Sequence, residues 1–224
     1  MTNKNDPTYH HFSALEVMQD APVIPVIVVD DVADAVPMAQ ALLKGGIRML
    51  EVTLRTPKAL DVIKAICDEV PGVVVGAGTV RSADQATAAV RAGARFAVSP
   101  GFTVEVARAC KDLGLALLPG VATASEVMMA EQEGFSELKF FPAVQAGGVK
   151  MLQALAGPFP QIKFCPTGGI NLANANEFLS LNNVVCVGGS WLVPQKALSD
   201  KDWIHITAMA QEAKSLKSIK SIKS

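Results

Sequence analysis

Apolar residues in this chain gather in eight short runs, set about 20–25 residues apart as strands separated by crossover segments are. The runs are Val23–Val29, Met49–Leu54, Val73–Thr79, Phe96–Pro100, Ala116–Val121, Leu138–Pro142, Ile162–Thr167 and Val184–Gly188. Val, Ile, Leu and Phe dominate them and most end at Gly, Pro, Thr or Ser, which predicts buried strands stopped by loops. The stretches between carry a helical period. Over Val32–Lys44 the positions Val32, Ala35, Val36, Ala39, Leu42 and Leu43 fall on one face. Ser82–Gly93 opens on a capping serine and closes at glycine, and Thr103–Gly114 and Ala124–Gly134 close in the same way.

Strands alternating with helices of this length require a parallel sheet, because parallel neighbours need a crossover. Such units close into a barrel or form an open, doubly wound sheet. The even spacing and the lack of a polar edge strand favour the barrel. The predicted fold is therefore α/β, a (β/α)8 TIM barrel nearly bare of insertions, with an extra N-terminal helix over Phe12–Gln19 plugging its N-terminal end. Residues 1–224 are predicted to form one domain, with a flexible leader over 1–11 and a flexible tail over 215–224. Lys recurs every third residue from Lys214 to Lys223, the pattern of a solvated, fraying helix end.

Composition narrows the function. Half of the 224 residues are hydrophobic and 18% are charged, ample for a core and unlike a disordered chain. A net charge of −1 offers no field for nucleic acid or an anionic membrane, so any bound phosphate must be held locally. Cys67, Cys110, Cys165 and Cys186 lie in or beside apolar runs without a CxxC pairing, which predicts buried, reduced thiols. The segment Met1–Asp20 lacks the apolar stretch of a signal peptide, and no run approaches the roughly 18 residues of a membrane span. These features point to a cytoplasmic protein acting on a small molecule.

Several chemistries are disfavoured. The three histidines are His10 and His11 in the polar leader and His205 in the last predicted helix, so none stands at a strand end to build a triad or a zinc site. Gly76-Ala77-Gly78 lacks the third glycine of a dinucleotide fingerprint, Arg81 standing there, and there is no GxxxxGK[ST] loop. The expected metal and cofactor are none. Lys, Glu, Arg, hydroxyls and backbone remain as the catalyst.

In a barrel, alternate strand residues face inward and functional groups gather at the C-terminal ends. Lys139 sits in the otherwise apolar Leu138–Pro142 run, on the face of Phe141. A desolvated amine loses its proton more readily and becomes a Schiff-base nucleophile, whereas a structural lysine snorkels or pairs with a carboxylate. By period two, Glu51, Thr53 and Arg55 share a face, with Glu51 a candidate proton shuttle and Arg55 a carboxylate clamp. A structural ion pair within the strand is the competing account, but roughly 13 Å of extended chain separates the two. Gly168-Gly169 after the seventh run and Gly188-Gly189 after the eighth stand where barrels bind phosphate, with hydroxyls at Thr167 and Ser190. Thr79 adds an inward hydroxyl. Pro100 and Pro119 read as rigid turns.

Taken together, the segments Pro25-Val26-Ile27, Glu51-Val52-Thr53-Leu54-Arg55-Thr56, Gly76-Ala77-Gly78-Thr79-Val80, Ser99-Pro100-Gly101, Lys139-Phe140-Phe141-Pro142-Ala143, Cys165-Pro166-Thr167-Gly168-Gly169-Ile170 and Gly188-Gly189-Ser190-Trp191-Leu192 resemble the 2-keto-3-deoxy-6-phosphogluconate and 4-hydroxy-2-oxoglutarate aldolase family. The resemblance runs from about Pro22 to Pro194 and departs at Val144-Gln145-Ala146, which replaces a more acidic stretch.

It implies a class I aldolase on a (β/α)8 barrel, trimeric and metal-free, serving the Entner–Doudoroff pathway. Lys139 matches the Schiff-base lysine and Glu51 the acid/base. Arg55 and Thr79 match the pyruvate-carboxylate site, lined by Pro100 and Phe141. Thr167, Gly168, Gly169 and Ser190 match the phosphate end, beside the Gly188-Gly189 turn. The rivals are an aldolase for the galactonate epimer, a non-covalent sugar-phosphate isomerase or epimerase on the same barrel, and a catalytically silent sugar-phosphate sensor.

Overall fold

The computed structural model describes residues 11–216. The leader up to His10 and the tail from Lys217 lie outside the described residues, so the expected flexible ends largely fall there. The strands are β1 (Val23–Ile27), β2 (Met49–Thr53), β3 (Val74–Gly78), β4 (Phe96–Val98), β5 (Ala116–Leu118), β6 (Gly120–Val121), β7 (Glu137–Phe140), β8 (Lys163–Pro166) and β9 (Val187–Gly189). The helices are α1 (Ala14–Gln19), α2 (Ala35–Lys44), α3 (Ala59–Glu69), α4 (Ala83–Ala92), α5 (Val104–Asp112), α6 (Ala124–Gln132), α7 (Gly148–Ala156), α8 (Ala175–Leu179), α9 (Gln195–Ser199) and α10 (Trp203–Ser215). All strand pairings are parallel, in sheets ordered β5-β4-β3-β2-β1-β9 and β6-β7-β8.

The local chemistry explains most boundaries. Ser13 starts α1 with a capping box: its hydroxyl accepts from the Glu16 N–H, and the Glu16 carboxylate accepts from the Ser13 N–H. Ser82 caps α4, which ends on Gly93 at φ +104, a left-handed turn that glycine adopts without strain. The predicted helix over Val32–Lys44 begins instead as a 3-10 turn, Val32–Asp34, capped by Asp31. Pro37 follows in the first turn of α2, where its missing N–H costs nothing.

The fifth apolar run is split into β5 and β6 at Pro119, which cannot donate to a ladder. The eighth run divides its pairing, Val184 bridging to Phe164 of β8 and Val187 pairing with Val23 of β1. A second isolated bridge joins Thr167 to Gly188.

Burial follows strand alternation. Leu50 and Val52, Val75 and Ala77, Leu138 and Phe140 pack with the helices in the main core. The intervening positions Ile24, Met49, Phe96, Val98, Leu118 and Cys165 form a separate interior cluster, completed by Val17 and Met18 of α1. Val17 and Met18 are the buried residues of α1. Gly76 lies opposite Phe96, whose ring a Cβ there would meet at 2.3 Å. By the same alternation Glu51, Thr53, Lys139 and Thr167 are interior positions, although each is polar; all four are buried.

Candidate active site

Glu51 is the third residue of β2 and Lys139 the third of β7, 88 residues apart in the chain. Lys139 Nζ lies 3.3 Å from Glu51 Oε1, with the two residues 4% and 3% exposed. The same ammonium nitrogen sits 5.3 Å from the centre of the Phe141 ring, the face-sharing expected from the strand. Desolvating a charged pair this deeply is costly, and a 3.3 Å contact is longer than the best charged hydrogen bonds. It sets an amine and a carboxylate in direct contact in the interior.

Room for this pair comes from a residue that sequence reading passed over. A Cβ on Gly78 would lie 2.3 Å from Glu51 Oε1 and 2.6 Å from its Cγ. The signal was present: Gly76 and Gly78 alternate on the interior face of β3, leaving space for the large side chains of neighbouring strands. We expect Gly78→Ala to push Glu51 off Lys139, lowering kcat on the order of 100-fold, as about 1 Å of misplacement does. Overpacking should cost about 1–3 kcal/mol of stability. Wild-type kcat and Tm in this variant would show that the carboxylate has slack.

Arg55 enters differently from the period-two expectation. β2 ends at Thr53, and Arg55 belongs to the turn that follows, its N–H donating to Thr53 O at 2.8 Å. Its guanidinium Nε donates to Thr79 Oγ1 at 3.1 Å. Thr79, just past β3, holds a left-handed backbone at φ +60, strain that a non-glycine residue carries chiefly at functional sites. Thr53 is turned away from this pair, its hydroxyl donating to Ile27 O at 2.9 Å. Pro100 is half-buried after β4. Ser99, another residue the sequence reading missed, fixes the Pro100 turn by donating to Gly101 O at 2.8 Å. Gly120 permits β6 to approach, since a Cβ there would meet the Pro100 carbonyl at 2.4 Å.

The glycine turns divide into two kinds. Gly168 and Gly169 have φ of +104 and +75 in succession, and among the described residues the N–H groups of Gly169 and Ile170 make no hydrogen bond. Asn174 steadies the turn, its Nδ2 donating to Gly169 O at 3.1 Å. Gly188 and Gly189 have a packing reason of their own: a Cβ would meet Thr167 Oγ1 at 2.2 Å in the first case and the Trp191 ring at 1.7 Å in the second. Thr167 is buried, whereas Ser190 is exposed and its hydroxyl makes no hydrogen bond among the described residues.

Among the described residues, no group of three His, Cys, Asp or Glu could hold a metal ion, and no helix is long and apolar enough to cross a membrane. Cys67, Cys110, Cys165 and Cys186 are thiols, not disulfides. Burial pushes the Cys67 and Cys110 thiols up to about 11, which leaves them poor nucleophiles.

Comparison with known proteins bears on this geometry. The family model described as KDPG and KHG aldolase matches residues 15–209. A 2-dehydro-3-deoxy-phosphogluconate aldolase of Pseudoalteromonas atlantica is 53% identical over 201 residues, spanning 90% of this chain and 94% of its own. The chain belongs to the KDPG and KHG aldolase family. Among solved structures of this aldolase family, the KDPG aldolase of Legionella pneumophila, with pyruvate captured at low pH as a covalent carbinolamine intermediate, is 48% identical. It superposes with a TM-score of 0.89 over 91% of this chain and 99% of that one. The Zymomonas mobilis aldolase with 3-phosphoglycerate is also 48% identical, with a TM-score of 0.88 over 92% of this chain and 97% of that one.

Proposed function

We propose that this chain is a class I aldolase cleaving 2-keto-3-deoxy-6-phosphogluconate to pyruvate and glyceraldehyde 3-phosphate through a Schiff base on Lys139. It also takes 4-hydroxy-2-oxoglutarate to pyruvate and glyoxylate. The observation that carries this reading is the buried Lys139–Glu51 contact at 3.3 Å beneath Phe141, in a family with a member that holds pyruvate covalently.

Proton transfer from Lys139 to Glu51 frees the amine lone pair, which attacks the C2 carbonyl carbon. Glu51 returns that proton to the carbinolamine hydroxyl, which leaves as water and gives an iminium, an electron sink that performs the work metal ions do in other aldolases. Glu51, through a water, takes the C4 hydroxyl proton; the C3–C4 pair moves into a C2–C3 enamine and glyceraldehyde 3-phosphate leaves. Glu51 returns a proton to C3, water adds to C2, and the Lys139 amine departs from pyruvate. Arg55 and Thr79 hold the C1 carboxylate, with Pro100 and Phe141 as the walls beside the reacting carbons. Thr167, Gly168, Gly169 and Ser190 take the phosphate, and Gly188 and Gly189 serve that end by leaving room for Thr167 and Trp191.

The same reading treats the two sheets as one closed (β/α)8 barrel in a single domain, with α1 across its N-terminal end. The Pro119 link between β5 and β6 and the bridges from β8 to the eighth run support closure. It also takes the protein as a cytoplasmic homotrimer; four cysteines outside disulfides suit a reducing compartment, and the trimer rests on the family resemblance.

The test is pyruvate release from both keto acids, followed with a lactate dehydrogenase couple, with and without chelator. We expect pyruvate and aldehyde in equal amounts and no loss on chelation. Release from neither substrate, or loss restored by a divalent ion, overturns the reading.

A further inference from the structure

The turn after β8 offers unused donors, and a neighbouring loop adds one more. The loop following β7 is laid against the turn by two backbone hydrogen bonds, Ala143 N to Thr167 O at 2.8 Å and Val144 N to Gly168 O at 3.1 Å. It is closed on itself by Ala146 N to Pro142 O at 2.8 Å. This bracing brings Val144 and Gln145 to Gly169. A Cβ on Gly169 would lie 2.9 Å from Val144 and 3.5 Å from Gln145 Nε2. Gln145 is exposed, and its amide makes no hydrogen bond among the described residues. A primary amide carries two N–H donors and no charge.

We infer that Gln145 is a specificity-determining residue that donates from Nε2 to the phosphate of the substrate. It stands beside the Gly169 turn, whose Gly169 and Ile170 N–H groups serve the same anion, with Val144 as an apolar wall. The inference rests on the aldolase reading for the substrate, a phosphate monoester of a keto acid. A phosphate dianion gains more from a donor than a carboxylate monoanion does, so the amide favours the phosphorylated substrate over 4-hydroxy-2-oxoglutarate, whose distal group is a smaller carboxylate. Because the donor is neutral, a carboxylate at this position would repel the same anion, and an ammonium would attract it.

The test separates the donor from the catalyst by using two readouts on the full chain and on Gln145→Ala, Gln145→Glu and Gln145→Lys. The first is binding of inorganic phosphate, followed by phosphorus NMR line broadening. The second is the ratio of kcat/KM for the phosphorylated substrate to that for 4-hydroxy-2-oxoglutarate.

We expect both phosphate affinity and the ratio to fall about 3–10-fold in Gln145→Ala, and at least about 10-fold in Gln145→Glu. They should recover or exceed the original values in Gln145→Lys. Affinity and ratio within twofold of the original in Gln145→Glu overturn the inference, as does an equal loss on both substrates, the mark of a structural role. Phosphate binding that follows this order in a protein cleaving neither keto acid would support the donor and overturn the aldolase reading.

Discussion

Lys139→Met is expected to abolish covalent capture of pyruvate and to lower aldol cleavage by roughly 10⁴-fold or more, the order seen when the nucleophile of a catalytic unit is removed. In the unaltered protein, borohydride reduction with pyruvate followed by peptide mapping should mark the Lys139 peptide alone. Lys150 is exposed on α7, and Lys163 lies at the start of β8 with its ammonium donating to Asn182 O at 3.5 Å. Neither amine is desolvated beside an aromatic ring as Lys139 is, so a label on either would move the chemistry elsewhere. Removing the amine strands the Glu51 carboxylate in the interior, which costs about 3–5 kcal/mol unless it takes up a proton. The double variant Lys139→Met with Glu51→Gln removes that orphan charge. Loss of trapping in a folded double variant therefore reports the missing amine rather than a damaged fold.

The second large effect is expected at Glu51. Glu51→Gln keeps the shape of the side chain but removes its ability to exchange a proton. Turnover should drop roughly 10²–10⁴-fold, the range for a positioned acid/base group. Because Lys139 remains, borohydride should still trap pyruvate, with the adduct forming more slowly. The combination of surviving adduct and lost turnover is the signature of a proton shuttle. A variant that turns over like the original protein would remove Glu51 from the mechanism. One that no longer traps would make Glu51 a requirement for amine activation itself.

Much of the site was legible because β-strand chemistry is local. A lysine and a glutamate inside apolar runs conflict with ordinary strand composition, and period two alone puts Lys139 on the face of Phe141. Arg55 shows where that rule stops: the strand ends at Thr53, and a turn rather than alternation carries the guanidinium to Thr79. The glycines after β8 and at the end of β9 show a different limit. All four read alike in sequence, yet Gly168 and Gly169 have left-handed backbones, while Gly188 and Gly189 make way for Thr167 and Trp191. This also changes which substitution probes the anion. An alanine at Gly169 would be strained at φ +75 and pressed against Val144, so its effect would mix backbone with ligand.

By itself the sequence determined the order of strands and helices, their parallel arrangement and the polar residues that apolar strands do not choose. These follow from side-chain periodicity and capping, which act over a few residues. It could not pair those residues. The roughly 13 Å between Glu51 and Arg55 indicated that each needs another partner, but not that the partner of Glu51 stands 88 residues away on β7. Only the curl of the parallel sheet brings β2 and β7 within reach of each other, and only the absent side chain of Gly78 lets the carboxylate settle there. The pairing of distant charges depends on strand register and packing volume, and both are properties of the whole fold.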